Sequence, residues 1–144
     1  MLFRSLSHSL MRTRVQAVSD ADFDQWVIDQ QTPSTLPAEG EPGYDGYQVY
    51  LNKQCIQCHT VRFDDEEATN VLAAEAFNGP ELTHFATRGK FAGAILPEEG
   101  ESREEALKRW LADPPAIKPG SFMPDLALTE QEIDALIIWL ESLE

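Results

Sequence analysis

The sequence predicts a mainly α-helical fold, a small helical bundle preceded by an orphan β-strand and a short helix. Three observations carry this. Residues 44 to 144 repeat the helical pattern of a capping residue followed by apolar positions three and four apart. Proline and glycine clusters, not strand-length alternating runs, separate these segments. Period-two alternation occurs at one place only, near the N-terminus.

That place is "MRTRVQAV", with Met11, Thr13, Val15 and Ala17 on one side and Arg12, Arg14 and Gln16 on the other. It predicts a half-buried strand over 11–18. Ser19 then reads as a helix cap, and "DADFDQWVIDQ" as a helix over 20–30, with acids in its first turn and Phe23, Trp26 and Val27 at helical spacing. "TPSTLPAEGEPG", residues 32–43, reads as a Pro/Gly linker. Three units are therefore expected: 1–31, a linker at 32–43, and a main domain at 44–144. A lone strand cannot satisfy its own backbone, so 11–18 must either pair with another chain or belong to a sheet that these residues do not supply.

In the main domain, Asp45 with Gln48 reads as a cap for the first helix, "YDGYQVYLN". Ser102 with Glu105 opens "SREEALKRWLAD", which Pro114 and Pro115 stop. "PPAIKPGSFMP" follows as a proline-bounded loop. Thr129 with Glu132 opens the last helix, whose Ile133, Leu136, Ile137 and Leu140 share one face. Tyr47, Tyr50 and Leu51 are expected to pack the first helix of this domain against that face.

The chain has 144 residues and a formal net charge of −14, which makes nucleic acid a poor partner. The longest apolar run, "IDALIIWL", falls well short of the roughly 20 residues needed to span a bilayer. The first 19 residues, rich in Arg and Ser, have the composition of a mitochondrial presequence. The acidic runs "FDDEEA" and "PEEGESREE" read as solvated surface and cap charges.

The chemistry lies in "KQCIQCHTVR", which holds both cysteines of the chain, Cys55 and Cys58, and His59. A disulfide across three residues is strained and closes a tiny loop. A redox dithiol expects a strand before it and a parallel sheet around it. Structural zinc needs four ligands, and only His8 and His84 remain to help. Cys-x-x-Cys-His is the attachment pattern of haem c, with two thiols placed for the two vinyl groups and an adjacent imidazole for the iron. We therefore expect one covalent haem c, with His59 as proximal ligand. For the sixth iron position Met123, in the loop "KPGSFMPD", is the favoured ligand over His84, Met11, His8 or an open site.

From residue 44 onward the motif order resembles a class I cytochrome c domain: a helix, "CIQCH", "GPELTH", "RWLADP", "KPGSFMP" and a closing amphipathic helix. The phrasing "GPELTHFATR…RWLADPPAIKPGSFMP" is similar to the cytochrome c domain fused to subunit II of caa-type cytochrome c oxidases. "SHSLMRTRVQAVSDADFDQWV" resembles the end of the copper-binding cupredoxin domain upstream of such a fusion. The orphan strand is then the last strand of a missing sheet, and the presequence reading recedes.

The resemblance implies roles. Cys55 and Cys58 form thioethers, His59 and Met123 ligate the iron, and Pro80 accepts the ring N–H of His59. Arg88 and Trp110 fall on positions that approach the haem propionates. In that family the dinuclear copper centre takes two cysteines, two histidines, a methionine and a backbone carbonyl. His8 and Met11 fall on a histidine and the methionine, but Arg4 stands where a cysteine belongs. A guanidinium cannot bridge copper, so no copper centre is expected and His8 and Met11 are relics.

The implied function is electron transfer in a respiratory chain, with the isolated chain an electron carrier and no enzyme. The implied partners are other oxidase subunits and a donor such as a cytochrome c or a quinol–cytochrome c reductase. The implied location is the outer face of the bacterial cytoplasmic membrane or the periplasm. No signal or anchor is legible, so a truncated gene, a split gene or an excised fragment is expected. Two alternatives stand beside this reading: a haem c protein with an open distal site for ligand sensing or peroxide chemistry, and a zinc or dithiol module.

Overall fold

The computed structural model describes residues 12–65, 67 and 79–144. Its helices are α1 (Asp20–Gln31), α2 (Tyr44–Asn52), α3 (Arg103–Ala112), α4 (Pro114–Ile117) and α5 (Glu130–Leu140), with a 3-10 turn at Cys55–Gln57. The protein is thus mainly helical, as expected. None of the described helices is long and apolar enough to cross a membrane.

Local chemistry sets most helix starts. The Ser102 hydroxyl accepts from the Glu105 N–H at 3.2 Å, while the Glu105 carboxylate accepts from the Ser102 N–H at 3.1 Å. Thr129 and Glu132 repeat this box at the head of α5, at 3.3 and 2.8 Å. Each box satisfies two of the N–H groups a helix start leaves unpaired. α2 departs from expectation. Its cap is Gly43, at φ 93°, and Asp45 lies inside the first turn. No side chain caps it; Asp45 instead places negative charge at the positive end of the helix. Pro114 and Pro115 end α3 as expected, but they also open α4, because the first turn of a helix needs no N–H. The Asp113 carboxylate caps that turn through the Ala116 N–H at 3.0 Å.

The core forms where α2 crosses α5. Leu136, Ile137, Trp139 and Leu140 of α5 are buried, as are Tyr50 of α2 and Leu107 of α3. Each such side chain removes apolar surface worth about 1.5–3 kcal/mol from water. The crossing is close because Gly46 has no side chain: a Cβ there would stand 2.6 Å from the Trp139 Cβ. Lys53, at the end of α2, pairs with Glu132 at the start of α5 at 3.0 Å.

The N-terminal region corrects one expectation. No strand forms over 12–18, the described part of the expected 11–18 strand; these residues are exposed. Arg12 makes a single backbone bond, its N–H to the Gly93 carbonyl at 2.8 Å, which is no ladder. An extended segment without a neighbouring strand leaves its peptide groups to water. α1 forms as expected, with Ser19 accepting from the Asp22 N–H at 3.2 Å. Its apolar face finds no core: Phe23 and Trp26 stack on each other at 5.8 Å and stay 53% and 54% exposed.

The linker composition of 32–43 does not leave its first residues loose. Ser34 pairs alongside Phe63, its N–H donating to the Arg62 carbonyl at 2.9 Å and its carbonyl accepting from the Asp64 N–H at 3.0 Å. The Ser34 hydroxyl donates to the Thr83 carbonyl at 2.6 Å. The Arg62 guanidinium reaches back to the Gln30 carbonyl at 2.7 Å, at the end of α1.

Candidate functional site

The site begins where α2 ends. Gln54 adopts φ 59° and turns the chain into the 3-10 turn Cys55–Gln57. The N–H groups of Cys58 and His59 both donate to the Cys55 carbonyl, at 3.0 and 2.9 Å. This one turn gathers Cys55, Cys58 and His59. Both cysteines are reduced and half-buried. Burial pushes the Cys55 thiol above its ordinary value, with its own backbone hydrogen bond opposing.

His59 is held by its ring. Nδ1 lies 2.8 Å from the Pro80 carbonyl oxygen. A carbonyl can only accept, so Nδ1 carries the proton and Nε2 carries the lone pair, the arrangement an imidazole adopts toward a metal. Burial holds the His59 pKa below its usual value; the Pro80 bond opposes this and the charge of Arg88 adds to it. The ring is therefore neutral at pH 7. Its main chain is held as well: the Tyr50 hydroxyl, from α2, donates to the His59 carbonyl at 2.6 Å.

Gly79 makes the approach of the 79–88 segment possible. Its N–H donates to the Cys58 carbonyl at 2.8 Å, and a Cβ would stand 2.7 Å from His59 Cε1. Only glycine leaves that slot to the imidazole. Further along, the Arg88 guanidinium donates to the Glu81 carbonyl and lies 3.5 Å from the Glu81 carboxylate. Burial lowers the Arg88 pKa against the pull of Glu81, and the like charge of Arg103 adds to the effect. Arg103 is itself anchored, donating to the Phe85 carbonyl at 2.8 Å and lying over the Phe85 ring at 4.8 Å.

Of the residues singled out from sequence, the fold brings Cys55, Cys58, His59 and Pro80 into one cluster, with Arg88 near enough to act on His59. Trp110 of α3 and Met123, in the loop between α4 and α5, are half-buried against the same apolar core as Cys55 and Ile56. The Met123 N–H donates to the Ser121 hydroxyl at 3.2 Å, which shapes that loop. His84 is buried, with Nε2 lacking a partner among the described residues. His8 and Met11 lie outside the described residues, as does Arg4.

Sequence reasoning passed over the Gly79 slot, the Glu81 anchor and the Tyr50 hydroxyl. Tyr50 carried a signal: a tyrosine on a buried helix face brings a hydroxyl that needs a partner, where phenylalanine would not. The donor set fits a haem. Two reduced thiols sit on one turn, the adjacent imidazole is neutral with its lone pair on Nε2, and a glycine cradles that ring.

The family model for Cytochrome c matches residues 44–144. Cytochrome c oxidase subunit 2 of Bacillus sp. (strain PS3) is 36% identical over 140 residues, covering 96% of this chain and 36% of that protein. The protein of the same name from Bacillus subtilis (strain 168) is 31% identical over 140 residues. That from Alkalihalophilus pseudofirmus is 32% identical over 139 residues. The chain spans about 36% of the length of these curated relatives.

Proposed function

The chain belongs to the cytochrome c family, and from that premise we propose that it carries one covalent haem c and serves as the electron-carrying cytochrome c portion of a cytochrome c oxidase subunit 2. The observation that carries the proposal is the Cys55–Cys58–His59 turn with the His59 ring held on the Pro80 carbonyl at 2.8 Å. Similarity to the oxidase subunits over 96% of the chain supports the respiratory setting.

Cys55 and Cys58 would hold the haem through thioethers, and His59 and Met123 would ligate its iron. So held, the haem supplies a one-electron ferric/ferrous couple, and a methionine ligand raises its potential. Pro80 fixes the tautomer and plane of His59 and makes its imidazole a stronger donor. Arg88, steadied by Glu81, and Trp110 would serve the haem carboxylates, whose charge the guanidinium would offset. With the iron so ligated by the protein, the chain would act as a carrier, and substrate chemistry would belong to its partners.

Those partners are other oxidase subunits and a reduced donor such as a cytochrome c or a quinol–cytochrome c reductase, met outside the cytoplasm at the outer face of the bacterial cytoplasmic membrane or in the periplasm. Residues 1–31 are the end of a copper-binding domain. Arg4 stands in place of a bridging cysteine, so these residues hold no copper centre.

The test is a haem stain on a denaturing gel of protein matured in a haem-attaching host. Only thioether-linked haem survives denaturation, and a colourless band refutes the proposal. For Met123, the ferric protein should show the near-infrared sulfur-to-iron band. Met123→Ala should abolish that band, lower the potential and admit carbon monoxide. An unchanged spectrum removes Met123 from the iron.

A further inference from the structure

We propose that Tyr50 is a positioning residue for the proximal histidine: its hydroxyl holds the His59–Thr60 peptide and thereby sets the hydrogen bond between the His59 ring and Pro80. The inference rests on the haem reading above and deepens it.

The geometry separates the hydroxyl from the ring that carries it. The Tyr50 ring is 2% exposed, tilted against Trp139 at 4.7 Å and stacked with Tyr47 at 6.5 Å. Phenylalanine would fill that space equally well. Only the hydroxyl reaches the His59 carbonyl, at 2.6 Å, from a helix nine residues earlier in the chain. The bond joins the α2–α5 interface directly to the ligand-bearing turn.

His59 is fastened by at least three hydrogen bonds. Its N–H donates to the Cys55 carbonyl at 2.9 Å, its ring donates to Pro80 at 2.8 Å, and its carbonyl accepts from Tyr50. The first bond fixes where the turn begins. The third fixes the plane of the His59–Thr60 peptide. The next carbonyl, that of Thr60, accepts from the Leu82 N–H at 2.8 Å, and Leu82 is two residues from Pro80. Two successive peptide planes, His59–Thr60 and Thr60–Val61, therefore link the Tyr50 hydroxyl to both ends of the His59–Pro80 bond, the ring through its own residue and the carbonyl through Leu82. Without the hydroxyl, the peptide can rotate and the ring N–H and the Pro80 oxygen lose their alignment. A weaker Nδ1–H bond leaves the imidazole a poorer donor to ferric iron, which raises the reduction potential.

The experiment compares the haem-loaded chain with Tyr50→Phe and Tyr47→Phe. Tyr47 belongs to the same aromatic cluster on the same helix, so its variant removes a hydroxyl without touching the His59 turn. Three readouts are taken: the haem-methyl proton shifts of the ferric protein, solvent exchange of the His59 Nδ1 proton, and the reduction potential. For Tyr50→Phe we expect an altered methyl-shift pattern, Nδ1 exchange faster by roughly tenfold, the factor that one hydrogen bond commands, and a raised potential. Tyr47→Phe should leave all three in place. Should Tyr50→Phe fold poorly, 3-fluorotyrosine at position 50 keeps the ring and strengthens the donor, and must slow Nδ1 exchange. If Tyr50→Phe only lowers the melting temperature while shifts, exchange and potential match the parent, the hydroxyl is packing alone and the inference is wrong. A parent protein without covalent haem instead overturns the reading beneath it, and this inference with it.

Discussion

Gly46 of α2 crosses α5 so closely that a Cβ on it would lie 2.1 Å from the carbonyl oxygen of Ala135. The obstructing atoms include main chain, at 2.1 and 2.8 Å, which no rotamer change can clear. Gly46→Ala would gain about 1 kcal/mol of helix propensity. Forced separation of a packed interface costs about 1–3 kcal/mol, and more where backbone must move. The clash wins. Chemical denaturation of the haem-loaded protein should show a net loss of about 2 kcal/mol, with the midpoint shifted and the slope retained.

Gly79→Ala should damage the ligand side without touching the helix interface. A methyl group 2.7 Å from His59 Cε1 and 2.8 Å from Nδ1 must push the ring off Pro80. The haem-attaching host should then yield less covalent haem per chain. What is attached should show a perturbed ferric spectrum. Haem content against protein absorbance gives the first quantity directly, and an unaltered yield and spectrum would contradict the slot.

Arg62 is the clamp on α1. Its guanidinium takes the Gln30 carbonyl at 2.7 Å and the Gln31 carbonyl at 3.5 Å, while its own N–H donates to the Thr83 hydroxyl at 2.8 Å. Arg62→Ala removes the first two bonds and keeps the third. α1 has no buried residue to hold it otherwise. Amide exchange across α1 should accelerate at least tenfold, as loss of more than one hydrogen bond requires. Exchange in α5 should not change.

The head of α5 carries an acid-sensitive contribution. Glu132 titrates below its ordinary value of 4.5, because its carboxylate accepts the Thr129 N–H and, secondarily, pairs with Lys53. A carboxylate with a depressed folded pKa stabilises the fold above its unfolded pKa, and that contribution is lost as pH falls through the folded value. The window therefore opens near pH 4.5 and extends downward. Glu132→Gln should be less stable than the parent at pH 6 and should converge on it in acid. A constant difference between the two at all pH values would contradict the assignment.

The sequence by itself determined the elements whose causes are local. Ser19, the Ser102–Glu105 box and the Thr129–Glu132 box act over three residues, so their signatures lie in neighbouring letters. The Cys55–Cys58–His59 cluster was legible for the same reason, since one turn suffices to assemble it, and Pro80 followed from its resemblance to the family. Asp45 misled because Gly43, in a left-handed conformation beside Trp139, starts the helix from a tertiary position.

The tertiary structure alone decided the rest. The 11–18 strand was a sound local pattern, but a strand exists only when another main chain pairs with it. The face of α1 was amphipathic on paper, yet Phe23 and Trp26 meet water because nothing in the described chain covers them. A proline-rich segment read as a loose linker is fastened by Ser34 to Thr83, 49 residues away. The Tyr50 hydroxyl became part of the site only when α2 folded back along the turn it precedes. In each case the deciding factor is the presence or absence of a hydrogen bond or a buried contact beyond the reach of a single turn, and such a contact leaves no periodic trace in either segment.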